Sequence, residues 1–287
     1  MQSLAHHNPA AVAVYFAGVA GIAMFCMDPV ILALSLVGSL LYFTVSGGRG
    51  GHWFGLLLFA AMAIAGPVLS HNGVTVLFVL NHNPVTLEAV IYGVASAGMI
   101  VAVLYWFRSF TAIMTSDKLL YLFGRLSPRL ALVLSMALRF VPLFGRQAKK
   151  INAAQRALGL YKDDNLIDTF RGGLRVFSVL ITWGLEQGVI TADSMVARGY
   201  GAGRRTHFDI FPFGLWDGVL TLTSVALTAL TLAGLRQVTF TYYPAITISH
   251  IPPLGWVGYA AYALLVLLPT LLQGKEALQW RCLRLKI

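Results

Sequence analysis

Charged side chains are scarce. Only 11% of the 287 residues are Asp, Glu, Lys or Arg, whereas a soluble domain carries about a quarter. Acidic residues are the rarer sign, 11 against 21 Lys and Arg. An ordinary cytosolic enzyme is excluded on that balance. Two cysteines, Cys26 and Cys282, lie at opposite ends, one in an apolar run and one in a basic tail. They indicate no disulfide framework. Residues 1–8 hold no Lys or Arg before the first apolar run, which argues against a cleaved secretory signal. A Walker A sequence is missing too: the only Gly-Lys pair, Gly274-Lys275, precedes Glu276 and has no Gly five residues before Gly274.

What is present is apolar length. Hydrophobic residues make up 57% of the chain and the mean hydropathy is +0.74. At about 20 apolar residues per crossing, the length allows roughly six or seven spans. Apolar runs fall at 11–27, 30–46, 53–69, 85–107, 212–235 and 254–272. Short punctuation separates them, such as Asp28-Pro29, Gly47-Gly48-Arg49-Gly50-Gly51 and Asn81-His82-Asn83-Pro84. The expected fold is an all-α integral membrane protein of about six transmembrane helices.

The net charge of +10 and pI near 9.9 would suggest nucleic acid in a soluble chain. In a membrane protein, basic residues accumulate in cytoplasmic loops instead, so no nucleic-acid partner is expected. Residues 108–205 hold fifteen of the 21 basic residues and six of the 11 acidic ones. They read as one cytoplasmic insert. With six spans and the N-terminus inside, 20 of the 21 bases fall on the cytoplasmic side, and only Arg236 falls outside. The inverted arrangement would place 20 outside. Both termini are therefore expected in the cytoplasm. The expected division is 1–108 (N-terminal spans), 109–209 (cytoplasmic domain) and 210–287 (C-terminal spans and basic tail). Of the external loops, 70–84 carries no charge, and 237–252 reads as a short extended or hairpin segment.

Within the insert, 129–160 and 166–199 read as two long helices, apolar around much of their circumference. Arg139, Arg146 and Lys150 share one face of the first, and Pro142 sits in its middle, where a kink is expected. In the second, Gly184, Gly188 and Ala192 recur every four residues, a stripe that lets another helix approach closely. The two helices are expected to cross. Their ends match: Ala157-Leu158-Gly159 followed by Leu160, and Ala197-Arg198-Gly199 followed by Tyr200. Glycine past a helix end is also an ordinary cap, so two plain helix stops and a functional pair both remain open at this point.

The run Ala192-Asp193-Ser194-Met195-Val196-Ala197-Arg198-Gly199-Tyr200-Gly201, then Arg204-Arg205, resembles the second Ala-Arg-Gly signature of the transmembrane T component of energy-coupling factor (ECF) transporters, the EcfT/CbiQ-like family. Leu138-Arg139-Phe140-Val141-Pro142 and Ala154-Gln155-Arg156-Ala157-Leu158-Gly159 resemble the stretch leading into the first signature. The detailed match covers about 128–206. There are departures: Leu158 stands where the family has Arg, and Val196 where it often has Glu. Arg156 lies two residues before Leu158.

The resemblance implies a non-catalytic subunit in the bacterial cell membrane that scaffolds a micronutrient importer. Its long cytoplasmic helices would be coupling helices, with tips at Arg156-Ala157-Leu158-Gly159 and Ala197-Arg198-Gly199 docking on two ABC ATPase subunits. They would pass ATP-driven motion to a separate substrate-binding S component. A guanidinium suits such a tip because its rigid fork meets carboxylates and carbonyls. No cofactor and no metal is implied. Two rival readings have some footing in the sequence. Asp163-Asp164-Asn165-Leu166-Ile167-Asp168 faintly resembles the Asp-rich motif of membrane prenyltransferases, but it is a single cluster with the wrong spacing. Binding of the solute by this chain itself would need polar residues at mid-membrane, and the spans offer none in a cluster. Glu88 and Asp217 lie near span ends, where solvation is cheap.

Overall fold

A computed structural model describes the chain apart from residues 1–3, 5–6, 48–49, 70–72, 81–82, 161–165, 204–210, 249 and 285–287. The described elements are α1 (Pro9–Phe25), α2 (Pro29–Val45), α3 (His52–Leu69), β1 (Val76–Leu80), β2 (Asn83–Thr86), α4 (Leu87–Ile113), α5 (Ser116–Leu126), α6 (Pro128–Ala157), α7 (Leu166–Ala197), α8 (Leu215–Leu235), β3 (Phe240–Thr241), β4 (Thr247–Ile248) and α9 (Pro253–Arg284). They form two units, one of Met1–Leu119 with Phe211–Ile287 and one of Leu120–Ile210.

Local chemistry sets the helix starts. Pro9 and Pro29 occupy the first helical turn, where a missing N–H costs nothing. Before them, the Asn8 and Asp28 side chains each accept from a backbone N–H two residues on, at 3.0 Å. Thr86 caps α4 by accepting from the Ala89 N–H at 3.3 Å. The fourth apolar run continues beyond residue 107, and α4 reaches Ile113, whose carbonyl accepts from Lys118 Nζ at 3.2 Å. By length and composition α4, α6, α8 and Pro253–Gly274 of α9 could cross a membrane, while α1, α2 and His52–Val68 are shorter apolar helices. α6, which falls within the expected cytoplasmic insert, is apolar enough to be among the former despite its scattered bases.

The first unit is built around an aromatic core. Tyr15, Tyr42, Trp106 and Tyr262 are fully buried, and Phe16 lies among them. Phe16 meets Trp106 and Phe110 edge-on, and Tyr42 stacks on Trp106. Polar atoms in this core mostly find partners: Tyr15 Oη donates to Leu265 O at 3.1 Å and Trp106 Nε1 to Ser35 Oγ at 3.1 Å. Where lipid removes the usual hydrophobic drive, close packing and such hydrogen bonds hold helices together. Glycines supply the close approaches. A Cβ on Gly234 of α8 would lie 2.7 Å from Leu254 O and 2.8 Å from Gly258 Cα of α9. A Cβ on Gly66 of α3 would lie 2.6 Å from Gly93 Cα of α4.

Two small antiparallel hairpins join the spans. β3 pairs with β4, Phe240 opposite Ile248 and Thr241 opposite Thr247, within the segment expected to be extended. β1 pairs with β2 through Phe78–Val85, Val79–Pro84 and Leu80–Asn83, with a register break between Val76 and Phe78. This hairpin has no counterpart in the sequence reading, because Val-Leu-Phe-Val-Leu lacks the alternation that marks a half-buried strand.

In the second unit α6 is one helix through Pro142, and α7 packs against it. The Phe144 ring meets Trp183 edge-on at 5.7 Å and stacks with Phe140 at 5.8 Å.

Candidate functional site

Both long helices end in the same hydrogen-bonded cap. At the end of α6, Leu158 N–H donates to Ala154 O (3.0 Å), Gly159 N–H to Arg156 O (3.0 Å) and Leu160 N–H to Gln155 O (3.2 Å). At the end of α7, Arg198 N–H donates to Ser194 O (3.2 Å), Gly199 N–H to Val196 O (2.9 Å) and Tyr200 N–H to Met195 O (2.9 Å). The closing residues are glycines in the left-handed region, Gly159 at φ 67° and Gly199 at φ 78°. A Cβ at either would meet nothing within 4 Å. The backbone twist, not crowding, is what calls for glycine.

Each cap pushes its last residues into the open. Ala157, Leu158, Gly159, Ala197, Arg198 and Gly199 are all exposed, Leu158 to 75% and Val196 to 70%. The Arg198 guanidinium has no hydrogen-bond or charged partner among the described residues. Aligning the two caps pairs Leu158 with Arg198 and Arg156 with Val196. Arg156 is exposed as well, but two helical residues are about 200° of rotation. It therefore leaves α6 from nearly the opposite side to Leu158. Arg204 and Arg205 lie outside the described residues.

The tips are well separated. Arg175 Nη2 of α7 donates to Leu160 O at 3.0 Å, so the α6 tip lies beside residue 175. Ala197 is 22 residues further along α7, which is about 33 Å of helix. Between them the helices meet where a Cβ on Gly184 would lie 2.9 Å from the Phe144 ring. The crossing is narrower than the four-residue stripe predicts. A Cβ on Gly188 would meet nothing within 4 Å, and Ala192 is exposed. Of the three stripe residues, Gly184 is the one packed on α6, and Gly188 and Ala192 face open space.

One further surface of this unit is not evident from the sequence. Phe170, Leu174, Phe177, Ile181 and Leu185 are 48–69% exposed along α7, at spacings that put them on one face. The 4-3-4-4 spacing was the available signal. It is masked by the other apolar residues around the helix.

The acids near the span ends are built into the first unit rather than solvated. Glu88 is 3% exposed and accepts from Thr75 Oγ1 (2.8 Å) and Thr75 N (3.3 Å). Asp217 accepts from Asn8 N (3.1 Å) and Gly214 N (2.9 Å), and its Oδ1 lies 2.7 Å from His7 Nδ1. Asp28 caps α2 and accepts from the Tyr259 hydroxyl. Among the described residues no three His, Cys, Asp or Glu side chains form a metal-binding group. Asp163, Asp164 and Asn165 lie outside the described residues. A cavity of about 360 Å³ between α2, α3 and α4 is lined by apolar side chains, Leu32, Leu36, Phe59 and Ile91 among them. It lacks the convergent polar groups of a solute site.

A model of the CbiQ family, described as cobalt transport protein, matches residues 2–208. The chain belongs to that family. It shares 34% identity over 102 residues with the energy-coupling factor transporter transmembrane protein EcfT 1 of Listeria monocytogenes serotype 1/2a (strain 08-5578), 35% of this chain and 38% of the relative. It shares 31% over 105 residues with the energy-coupling factor transporter transmembrane protein EcfT of Lactobacillus helveticus (strain DPC 4571), 36% of this chain and 38% of the relative. The matched part thus spans well under half the length of either curated relative. Membership places the chain in a family of membrane transport proteins rather than enzymes, in keeping with described elements that are helical apart from two small hairpins, and the prenyltransferase-like alternative falls away.

Proposed function

We propose that this chain is the transmembrane T component of an ECF transporter, with Ala157-Leu158-Gly159 and Ala197-Arg198-Gly199 as its two ATPase-docking tips. One observation carries the reading: two helix ends with the same cap, each exposed, stand about 33 Å apart along α7. A single docking site would need one such tip; two that are this far apart suit two ATPase subunits, one each. Gly159 and Gly199 end their helices without a side chain, which leaves the backbone open to close approach. Arg198 brings five donors in a rigid fork.

The exposed apolar face of α7 is assigned to the S component, whose membrane helices would cover Phe170, Phe177 and Leu185. Motion imposed at the tips is passed along α6 and α7 to that face. The spans of 1–108 and 210–287 anchor the assembly in the cell membrane, and 109–209 is the cytoplasmic coupling domain, with both termini inside.

The test is copurification with the cognate ATPases, together with uptake. Arg198→Glu reverses a charge at a desolvated contact, a change that typically costs about 2–5 kcal/mol and weakens docking roughly thirtyfold or more. Membrane levels stay normal, while ATPase recovery and uptake are lost. Leu158→Ala is milder, because only an apolar contact goes. Arg156→Ala is also milder than Arg198→Ala, because Arg156 leaves its helix from the other side. Full ATPase association and uptake in Arg198→Glu would end the docking-tip assignment.

A further inference from the structure

The hairpin β1–β2 belongs to the first unit, not to the one that holds the helix tips, and its surface is unlike that of an exposed loop. From Ser70 to Leu87 the chain carries no Asp, Glu, Lys or Arg. Val74, Val76, Leu77 and Val79 are 53–70% exposed. Val85, on the partner strand, is 5% exposed, so the hairpin rests on its own unit and turns an apolar side outward. Two strands have no second layer to cover that side.

The hairpin is not a loose flap. Leu87 N–H donates to Thr75 O at 2.9 Å, and Thr75 is held by the Glu88 carboxylate in the first turn of α4. Gly73, at φ 142°, leaves no room for a Cβ between Thr86 and Glu88. The base of the hairpin is thereby fixed to the head of a transmembrane helix. β2 also touches α3, whose Ile64 and Val68 are exposed and apolar.

We infer that β1 lies in the lipid interface, its outward Val76, Leu77 and Val79 seated among the headgroups and upper acyl chains of the adjoining leaflet. Three features select lipid over a protein partner. The hairpin directly joins two apolar helices, α3 and α4, the second long enough to cross a membrane, so the chain holds it close to the membrane face. No Asp, Glu, Lys or Arg between Ser70 and Leu87 gives it the charged rim common around a protein interface. Strand addition by a partner is hindered, since the extra residue at Leu77 breaks the ladder and Pro84 removes a donor from β2. Unpaired edge amides keep the hairpin out of the hydrocarbon centre. With no charges of its own, its contact with lipid is independent of anionic headgroups.

The test uses the full chain in phosphatidylcholine nanodiscs, with Cys26→Ser and Cys282→Ser and an environment-sensitive fluorophore on Leu77→Cys or Val79→Cys. Asp193→Cys, on the exposed side of α7, is the aqueous reference. Labels at 77 and 79 should be quenched strongly by lipids with a nitroxide high on the acyl chain and weakly by lipids with one near its end. Iodide should quench them several-fold less than the reference, and adding phosphatidylglycerol should change neither result. Val79→Gln with the label at Leu77 should restore part of the iodide access. Iodide access equal to that of the reference, with no nitroxide quenching, would overturn the inference. So would protection that appears only once copurified transporter subunits are added, which would make this a protein interface.

Discussion

Gly199→Ala tests the coupling tip with least ambiguity, because the structure supplies its own control on the same helix. At φ 78° an alanine crowds its Cβ against the following carbonyl, at about 1–2 kcal/mol. No neighbour stands within 4 Å of that Cβ, so the cost is purely one of backbone. The chain can relieve it only by unwinding the cap and giving up the Tyr200 N–H to Met195 O and Gly199 N–H to Val196 O bonds. An energy of about 1–2 kcal/mol raises the frayed population roughly five- to thirtyfold. Amide exchange at residues 199 and 200 should accelerate by that factor, while exchange in the body of α7 should not change. If Arg198 docks from a formed cap, ATPase recovery and uptake should fall alongside. Gly188→Ala is the control: it also has open space, but within regular helix, where alanine is favoured by up to about 1 kcal/mol. It should leave the tip and uptake intact. Equal exchange and equal uptake in the two variants would refute the argument that the left-handed cap matters to coupling. Faster exchange with full uptake would refute the docking role alone.

Other expectations follow from the membrane unit. Gly234→Ala drives a methyl into the backbone of α9 and should cost about 1–3 kcal/mol, read as a lower melting temperature in detergent; Gly21→Ala, with open space around it, should be neutral or stabilising. Glu88→Ala removes the acceptor that holds Thr75, so exchange at the Leu87 amide and proteolysis within 74–86 should rise several-fold while α4 stays folded. For topology, in a Cys26→Ser, Cys282→Ser background, a membrane-impermeant maleimide on intact cells should modify Thr241→Cys and spare Leu158→Cys. The reverse pattern would refute the N-in arrangement.

Much of this molecule could be read without coordinates. Apolar length and scarce charge specify a membrane protein, since each is set by composition and the thickness of a bilayer. Pro29 and its capping neighbour Asp28 mark a boundary between helices because the hydrogen bond concerned joins residues two apart. The tips are of the same local kind. Ala157-Leu158-Gly159 and Ala197-Arg198-Gly199 close through bonds that reach no further back than Gln155 and Met195.

What escaped was decided by partners distant in the chain. Nothing near Gly234 or Gly66 distinguishes it from Gly21; the difference is the backbone of Gly258 or Gly93 against it. Gly184, Gly188 and Ala192 form one uniform stripe, yet the Phe144 ring stands against the first, and a Cβ on the second would meet open space. Glu88 and Asp217 looked solvated because both lie near span ends. Both are buried, since Thr75 lies across a hairpin from one and residues 7 and 8 come from the far end of the chain to the other. Local hydrogen bonds and torsions are written in a few consecutive residues. The identity of the surface that meets a side chain depends on helices that only packing brings together.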